Sequence, residues 1–335
     1  MITVNARAMT RGRAVVALAM VAVTGIACAS TSTTTPAGQE PARPPATTAQ
    51  KPAAPAPAGT TAAAPAGGAS APAAKVPTIT AADGTKIAYE VSGSGPALVL
   101  LHGGGQTRQS WAERGYVDRL IKKFTVIRMD FRGSGDSGRP DTAAGYALDP
   151  VLADILAVAD AAGAKRFHLW GFGHGASIGR YLAVRSDRVI SAVLVGADMG
   201  PTISGPVKEA VLAMRAKWQP LLDQQKAGTF DVKKLSIGDR DAWEHGVAVS
   251  AVALGALADY PPVQPSDIKA STLWLIGAAD ASGMENVKQF EGKLTGTKVT
   301  FKALSGLSYS DSFARIDPVL AEVEPFLAST ATPAS

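Results

Sequence analysis

Residues Gly171-Phe172-Gly173-His174-Gly175 have the spacing of a Gly-x-Ser-x-Gly turn, with glycine at the serine position. In that motif a tight strand-to-helix turn lifts a serine hydroxyl above a sheet, and a histidine activates it for acyl transfer. The flanks fit this context, with a strand-like run from Arg166 to Trp170 and a helix-like run from Ala176 to Arg185. Gly173 has no side chain, so it can neither attack a carbonyl nor become acylated. Other chemistries find less footing. The glycine-rich run Gly133-Ser134-Gly135-Asp136-Ser137-Gly138 lacks both the Walker lysine and the Gly-x-Gly-x-x-Gly pattern. No two histidines or acids show metal-ligand spacing. Neither a metal nor any other cofactor is therefore expected.

The elements that must position this turn are legible around it. Thr78-Ile79-Thr80 and Lys86 to Val91 flank Asp83-Gly84, a hairpin turn signal. Buried parallel strands are expected at Ala97 to Leu101, Thr125 to Met129, Arg166 to Trp170, Val189 to Val195, Thr272 to Ile276 and Lys298 to Lys302. Asp149-Pro150 opens a helix with Leu152, Ile155, Val158 and Ala162 on one face. Phe313, Ile316, Leu320, Val323 and Leu327 recur at helical spacing near the C-terminus. A hairpin followed by alternating strands and helices implies an α/β domain, a mostly parallel eight-stranded sheet covered on both faces. Between residues 200 and 269 the strand signal gives way to helical patterns around Met214, Trp218 and Trp243, read as a cap insertion over the ends of the sheet.

Four segments in order resemble the α/β-hydrolase superfamily, over about Thr78 to Leu327. Leu98-Val99-Leu100-Leu101-His102-Gly103-Gly104-Gly105 resembles its strand and oxyanion loop. Met129-Asp130-Phe131-Arg132-Gly133-Ser134-Gly135-Asp136-Ser137 resembles the turn after its fourth strand. His168-Leu169-Trp170 through Tyr181-Leu182-Ala183 resembles its elbow strand and helix. Leu275-Ile276-Gly277-Ala278-Ala279-Asp280 resembles the strand that delivers the triad acid. The resemblance implies the α/β-hydrolase fold and a triad in the order serine, acid, histidine. It puts Gly173 at the nucleophile, Asp280 at the acid and Tyr309, in Leu304-Ser305-Gly306-Leu307-Ser308-Tyr309, at the histidine. The chain's four histidines are His102, His168, His174 and His245, and none follows Asp280. Nucleophile and base positions are both empty, which points to loss of the Ser-His mechanism.

The resemblance also implies an oxyanion pocket from His102, Gly103, Gly104, Gly105 and the backbone N–H of His174. His102 is expected to support that loop through hydrogen bonds. His168 lies on a buried strand and is read as packed locally, and His245 belongs to the cap. Asp198 stands where some relatives place an alternative acid, and is otherwise a turn residue. Asp130 and Arg132 are expected to fix their turn.

The N-terminus reads as an export signal. Arg7, Arg11 and Arg13 precede the apolar run Ala14 to Val23, too short for an ordinary transmembrane helix. Thr24-Gly25-Ile26-Ala27-Cys28 resembles a bacterial lipobox, with Gly25 where leucine is usual. Cys28, the only cysteine, is either lipidated or incidental to an ordinary cleaved signal, and the spacer that follows favours lipidation. Ala29 to Lys75 contains no Leu, Ile, Val, Met or aromatic residue and reads as a disordered tether. The expected organisation is therefore signal 1–27, tether 28–75, folded domain 76–329 and tail 330–335. The net charge of +5 falls to +2 without the three signal arginines. The remaining charges are mixed in sign with no basic stripe, so nucleic-acid binding finds no support.

Together these readings describe a pseudoenzyme held at a membrane by an N-terminal lipid anchor. It would bind a small apolar molecule or a protein partner rather than hydrolyse an ester. The alternative is an enzyme of non-standard chemistry in the same pocket, using His174, Asp280 or Tyr309 for proton transfer. The expected location is the bacterial cell envelope, the outer membrane if there are two, or else the periplasm or the exterior.

Overall fold

The computed structural model describes residues 76–244 and 246–330. The expected signal, Cys28, the tether, His245 and residues 331–335 lie outside the described residues. Eight strands form one sheet: β1 Thr78–Thr80, β2 Lys86–Gly93, β3 Ala97–Leu101, β4 Thr125–Met129, β5 Phe167–Phe172, β6 Val189–Val195, β7 Ser271–Gly277 and β8 Val299–Leu304. Their spatial order is β1-β2-β4-β3-β5-β6-β7-β8. β2 pairs antiparallel with β1 and β4, and every pairing from β4 to β8 is parallel.

Ten α-helices accompany the strands among the described residues. They are α1 Gln109–Glu113, α2 Tyr116–Leu120, α3 Leu148–Ala161, α4 His174–Arg185, α5 Gly205–Lys226, α6 Ile237–Glu244, α7 Val247–Ala256, α8 Ala281–Lys288, α9 Asp311–Ala314 and α10 Ile316–Thr330. The alternation of the strands sorts the core into two layers. Val99, Leu101, Ile127 and Leu169 pack on one face with Leu152, Ile155 and Val158 of α3. Leu98, Leu100, Trp170 and Leu275 pack on the other with Val319, Val323 and Leu327 of α10. Trp111, Tyr116 and Phe313 complete an aromatic knot around Trp170.

Several element boundaries shift by one or two residues from the sequence expectation, as at the ends of β2, β7 and β8, and two differences have a clear cause. The elbow strand runs on to Phe172, because Gly171 and Phe172 still pair with Leu194 and Val195 of β6. The C-terminal helical pattern divides at Arg315, which is extended. In one continuous helix the ring of Pro318 would strike the carbonyl of Ala314, so the chain restarts with proline in a first turn. The segment between β6 and β7 is helical as expected. There Trp218 and Leu222 of α5 pack on Ala248, Ala251 and Val252 of α7, a small core of its own.

At the other ends of the strands, His168 of β5 bonds through Nδ1 to Ser191 Oγ of β6, 2.8 Å away. The Thr330 hydroxyl at the end of α10 donates to the same Ser191 Oγ at 3.0 Å. His168 Nε2 is buried without a partner among the described residues.

Candidate functional site

The sheet order reverses direction between β3 and β5, which lie side by side with β4 beyond one and β6 beyond the other. At such a switch point the loops leaving adjacent strands diverge and open a crevice at the C-terminal edge. The loop after β3 carries His102 to Gly105, and the turn after β5 carries Gly173. Gly175 lets these two approach, because a Cβ there would overlap the carbonyl oxygen of Leu101.

Gly173 sits at φ 49°, ψ −111°, between strand and helix. Its N–H donates to Val195 O at 2.8 Å and its carbonyl accepts from Ser177 N at 2.9 Å. The elbow geometry is intact without the serine. The space above it is filled. A Cβ on Gly173 would overlap the Tyr309 hydroxyl and lie 3.4 Å from its Cζ. Tyr309 therefore occupies the volume in which a nucleophile's side chain would begin.

Tyr309 is held from several sides. Its ring lies 5.1 Å from that of Phe172, which stacks in turn on Phe313 at 4.6 Å. The loop beneath is pinned by Asp311, whose Oδ2 accepts from Ser308 Oγ at 2.6 Å and from Ser308 N at 3.2 Å. Tyr309 keeps 37% of its surface exposed, but its hydroxyl end is packed inward. Burial, reinforced by the charges of Asp280 and Asp198, pushes its pKa up to about 12. At neutral pH it is a phenol, able to donate or accept one hydrogen bond.

Asp280 follows β7, as the sequence places it, and caps α8 by accepting from Gly283 N at 3.1 Å. Asp198 follows β6 and feels Asp280. Burial and that charge raise its pKa, with Arg180 opposing. Arg180 is fully buried and donates to the Asp198 carbonyl at 2.7 Å and to Thr202 Oγ1 at 2.7 Å, which fixes the loop. The site thus sets two acids near one phenol.

His102 is a support. Its Nδ1 bonds Gly103 O at 2.8 Å and its Nε2 accepts from Phe131 N at 3.1 Å. Both nitrogens are satisfied in the neutral form, and burial lowers its pKa further. Gly103 is not a free oxyanion donor, because its N–H donates to Gln106 Oε1 at 2.9 Å. Gln106 went unremarked in the sequence, where no pattern distinguishes it. Gly104 and Gly105 are exposed on the same loop, and their N–H groups have no partner among the described residues. The His174 N–H opens α4, where it has no carbonyl within the helix. Its imidazole packs edge-on against Phe131 at 5.1 Å. Burial, with His102 nearby, lowers its pKa to about 4. It is neutral at pH 7, and neither ring nitrogen has a hydrogen-bond partner among the described residues.

Asp130 and Arg132 hold the neighbouring turn. Asp130, fully buried, accepts from Arg108 N at 2.7 Å, from Asp136 N at 2.9 Å and from the Arg108 guanidinium. Arg132 binds Asp154 in bidentate fashion at 2.7 and 2.8 Å. Among the described residues no cluster of three or more His, Cys, Asp or Glu could hold a metal ion. None of their helices is long and apolar enough to cross a membrane.

Comparison with known proteins agrees with this geometry. A family model for the alpha/beta hydrolase fold matches residues 96–241. The chain is 32% identical over 170 residues to a fluoroacetate dehalogenase of a Burkholderia species, covering 50% of this chain and 54% of that one. It is 32% identical over 119 residues to a soluble epoxide hydrolase of Corynebacterium sp. (strain C12), covering 36% and 40%. The chain thus spans about half or less of the length of the curated relatives it matches. Among solved structures, a thermophilic esterase from Thermogutta terrifontis matches with TM-score 0.59 at 20% identity, covering 77% of this chain and all of that one. The bottromycin epimerase BotH matches with TM-score 0.55 at 24% identity, covering 77% and 99%. At these identities the structural likeness shows the fold.

Proposed function

We propose, for a chain similar to the α/β-hydrolase superfamily, a non-hydrolytic role: binding of a small apolar molecule or a protein partner at the crevice beside Gly173 and Tyr309. The observation that carries this reading is the Tyr309 hydroxyl standing where a serine side chain would start. A missing serine alone could be replaced by a neighbouring hydroxyl. Here the vacated volume is refilled by a phenol whose raised pKa makes it a poor nucleophile. Beside the turn the Tyr309 ring is the exposed apolar surface, with Phe172 packed behind it. The free N–H groups of Gly104 and Gly105 can orient one polar atom of a ligand.

The test is covalent labelling of the full chain with a serine-directed fluorophosphonate. No adduct is expected. A stoichiometric mass increase mapped to a serine near the elbow, such as Ser177, overturns the reading. In the same proposal the protein is exported and anchored through Cys28 at the cell envelope, the outer membrane where there are two. Incorporation of labelled palmitate by wild type and not by Cys28→Ala supports that part, and equal solubility of both contradicts it.

A second reading is favoured by His174. A neutral imidazole with free nitrogens beside an oxyanion-type loop can accept a proton from carbon, and BotH is named for epimerisation rather than hydrolysis. Solvent deuterium should then enter enolisable esters with wild type and not with His174→Gln. Exchange by neither protein removes this reading.

A further inference from the structure

The charges that look mixed along the sequence are sorted in space. Each parallel strand from β4 to β8 is entered from a basic residue: Lys123 before β4, Arg166 before β5, Arg188 before β6, Lys269 before β7 and Lys298 before β8. Lys122 and Lys165 double the first two. All these loops lie at the N-terminal edge of the sheet. The loops leaving the strands carry Asp130, Asp136, Asp198, Asp280 and Asp311, at the C-terminal edge.

The basic residues are also the less committed set. Lys123 pairs with Glu324 and Arg188 with Asp160. Lys122, Lys165, Arg166, Lys269 and Lys298 are exposed and have no ion pair among the described residues. Arg166, Lys269, Lys293 and Lys298, with Ser271 and Thr297, line an open depression of ≈ 850 Å³. Asp187 is the acid on its rim.

We propose that this N-terminal edge docks on an anionic phospholipid surface. The basic side chains enter five of the six strands from β4 across β3 to β8, a row on the order of 25 Å at sheet spacing. A row of that length meets many headgroups at once, whereas one small anion would engage only a few of its cations. The basic loops place no exposed aromatic side chain at which a base could stack, as a single-stranded nucleic-acid platform requires. At the C-terminal edge Arg108 is committed to Asp130 and Asp136, so the free cations lie on the opposite edge and docking through them turns the crevice at Gly173 away from the bilayer. The charge geometry holds whether or not that crevice is catalytic. The presence of a bilayer within reach rests on the envelope reading given above.

The test uses the full chain carrying Cys28→Ala, so that no lipid contributes. Its co-sedimentation with phosphatidylcholine vesicles is measured with and without phosphatidylglycerol. Binding is expected only with phosphatidylglycerol, and it should weaken as salt shortens the Debye length. Lys165→Glu with Arg166→Glu should lower the partition coefficient about tenfold or more, since each cation near such a surface contributes about a fivefold factor. Lys233→Glu with Lys234→Glu, the same charge change on the cap, should leave it within about twofold, because beyond a Debye length the surface field is screened. The proposal is overturned if the edge variant binds like the parent, if the cap variant loses as much, or if both lipid mixtures bind equally. Tighter binding of duplex DNA with the same dependence on Lys165 and Arg166 reassigns the face to nucleic acid and also overturns it. Unchanged melting transitions show that the variants are folded.

Discussion

The two edges of one sheet solve opposite problems. At the C-terminal edge the charges of the turn after β4 are buried, paired and directional. Asp130 receives three hydrogen bonds from Arg108 and Asp136, and Arg132 clasps Asp154. At the N-terminal edge the charges are long, exposed and mostly unpaired. The first arrangement fixes backbone to within a hydrogen bond, as a crevice between diverging loops demands. The second leaves side chains free to meet a surface whose charges are themselves mobile. The difference shows that ion pairs at the upper edge belong to construction, while those absent below leave charge available for association.

The largest expected effect tests the construction. Asp154→Ala removes the bidentate partner of the buried Arg132 guanidinium and leaves it only Asp83 as an ion partner, a loss expected at about 3 kcal/mol, the low end for breaking a buried pair, read by urea unfolding. A loss no larger than that of a surface substitution would break the contrast between the edges.

Gly173→Ser comes next. A side chain at φ 49° carries strain of about 1–3 kcal/mol. Overlap with the Tyr309 hydroxyl adds overpacking of about 1–3 kcal/mol. Adding Tyr309→Phe should recover the second part, because Cζ would then stand at an ordinary 3.4 Å from the new Cβ. Thermal melts of the two variants check this, and equal melting points would show that the hydroxyl does not fill the site. Gly173→Ser with Tyr309→His is expected to show weak turnover of a short activated ester, with either single variant near background, since nucleophile and base act as a unit.

A smaller effect concerns His174. Its folded pKa, about 4, lies below the unfolded value of 6.5. The unfolded chain therefore binds the proton first. Stability is fully present above pH 6.5 and declines as pH falls through 6.5 toward 4. The ring is partly open to solvent, so the contribution is on the order of 1–2 kcal/mol. His102 and His168 are lowered in the same direction by burial. His174→Gln should thus flatten the pH dependence of the melting temperature only in part, and an unchanged slope would refute the assignment. Least of all, Lys165→Glu with Arg166→Glu should move stability within about 0.5 kcal/mol, a bound that calorimetry tests.

The fold was legible because strands and helices announce themselves locally. β3, β4 and β6 begin and end where their apolar runs do, and helices fill the stretch between β6 and β7 where the strand signal lapses. That the turn after β5 carries glycine was legible because a missing side chain is a fact of sequence. What fills the space above it was not. Tyr309 lies far along the chain from Gly173, and no periodicity states that its hydroxyl ends on that glycine. Gln106 taking the Gly103 N–H is a rotamer's choice, invisible to spacing. The basic edge escaped for a related reason. Its residues are scattered in ones and twos before five strands and form a row only when those strands align, so the absence of a basic stripe in the sequence does not carry over to the surface.

The hydroxyl of Thr330 reaches Ser191, and Ser191 reaches His168, so the last turn of the C-terminal helix is chemically linked to an imidazole inside the sheet. That makes His168 a built-in reporter. Its ring-nitrogen resonances should shift when the helix end frays, or when the neighbouring Arg166 is engaged from outside. A single nuclear magnetic resonance signal would then read out events at this edge without any label at the surface itself.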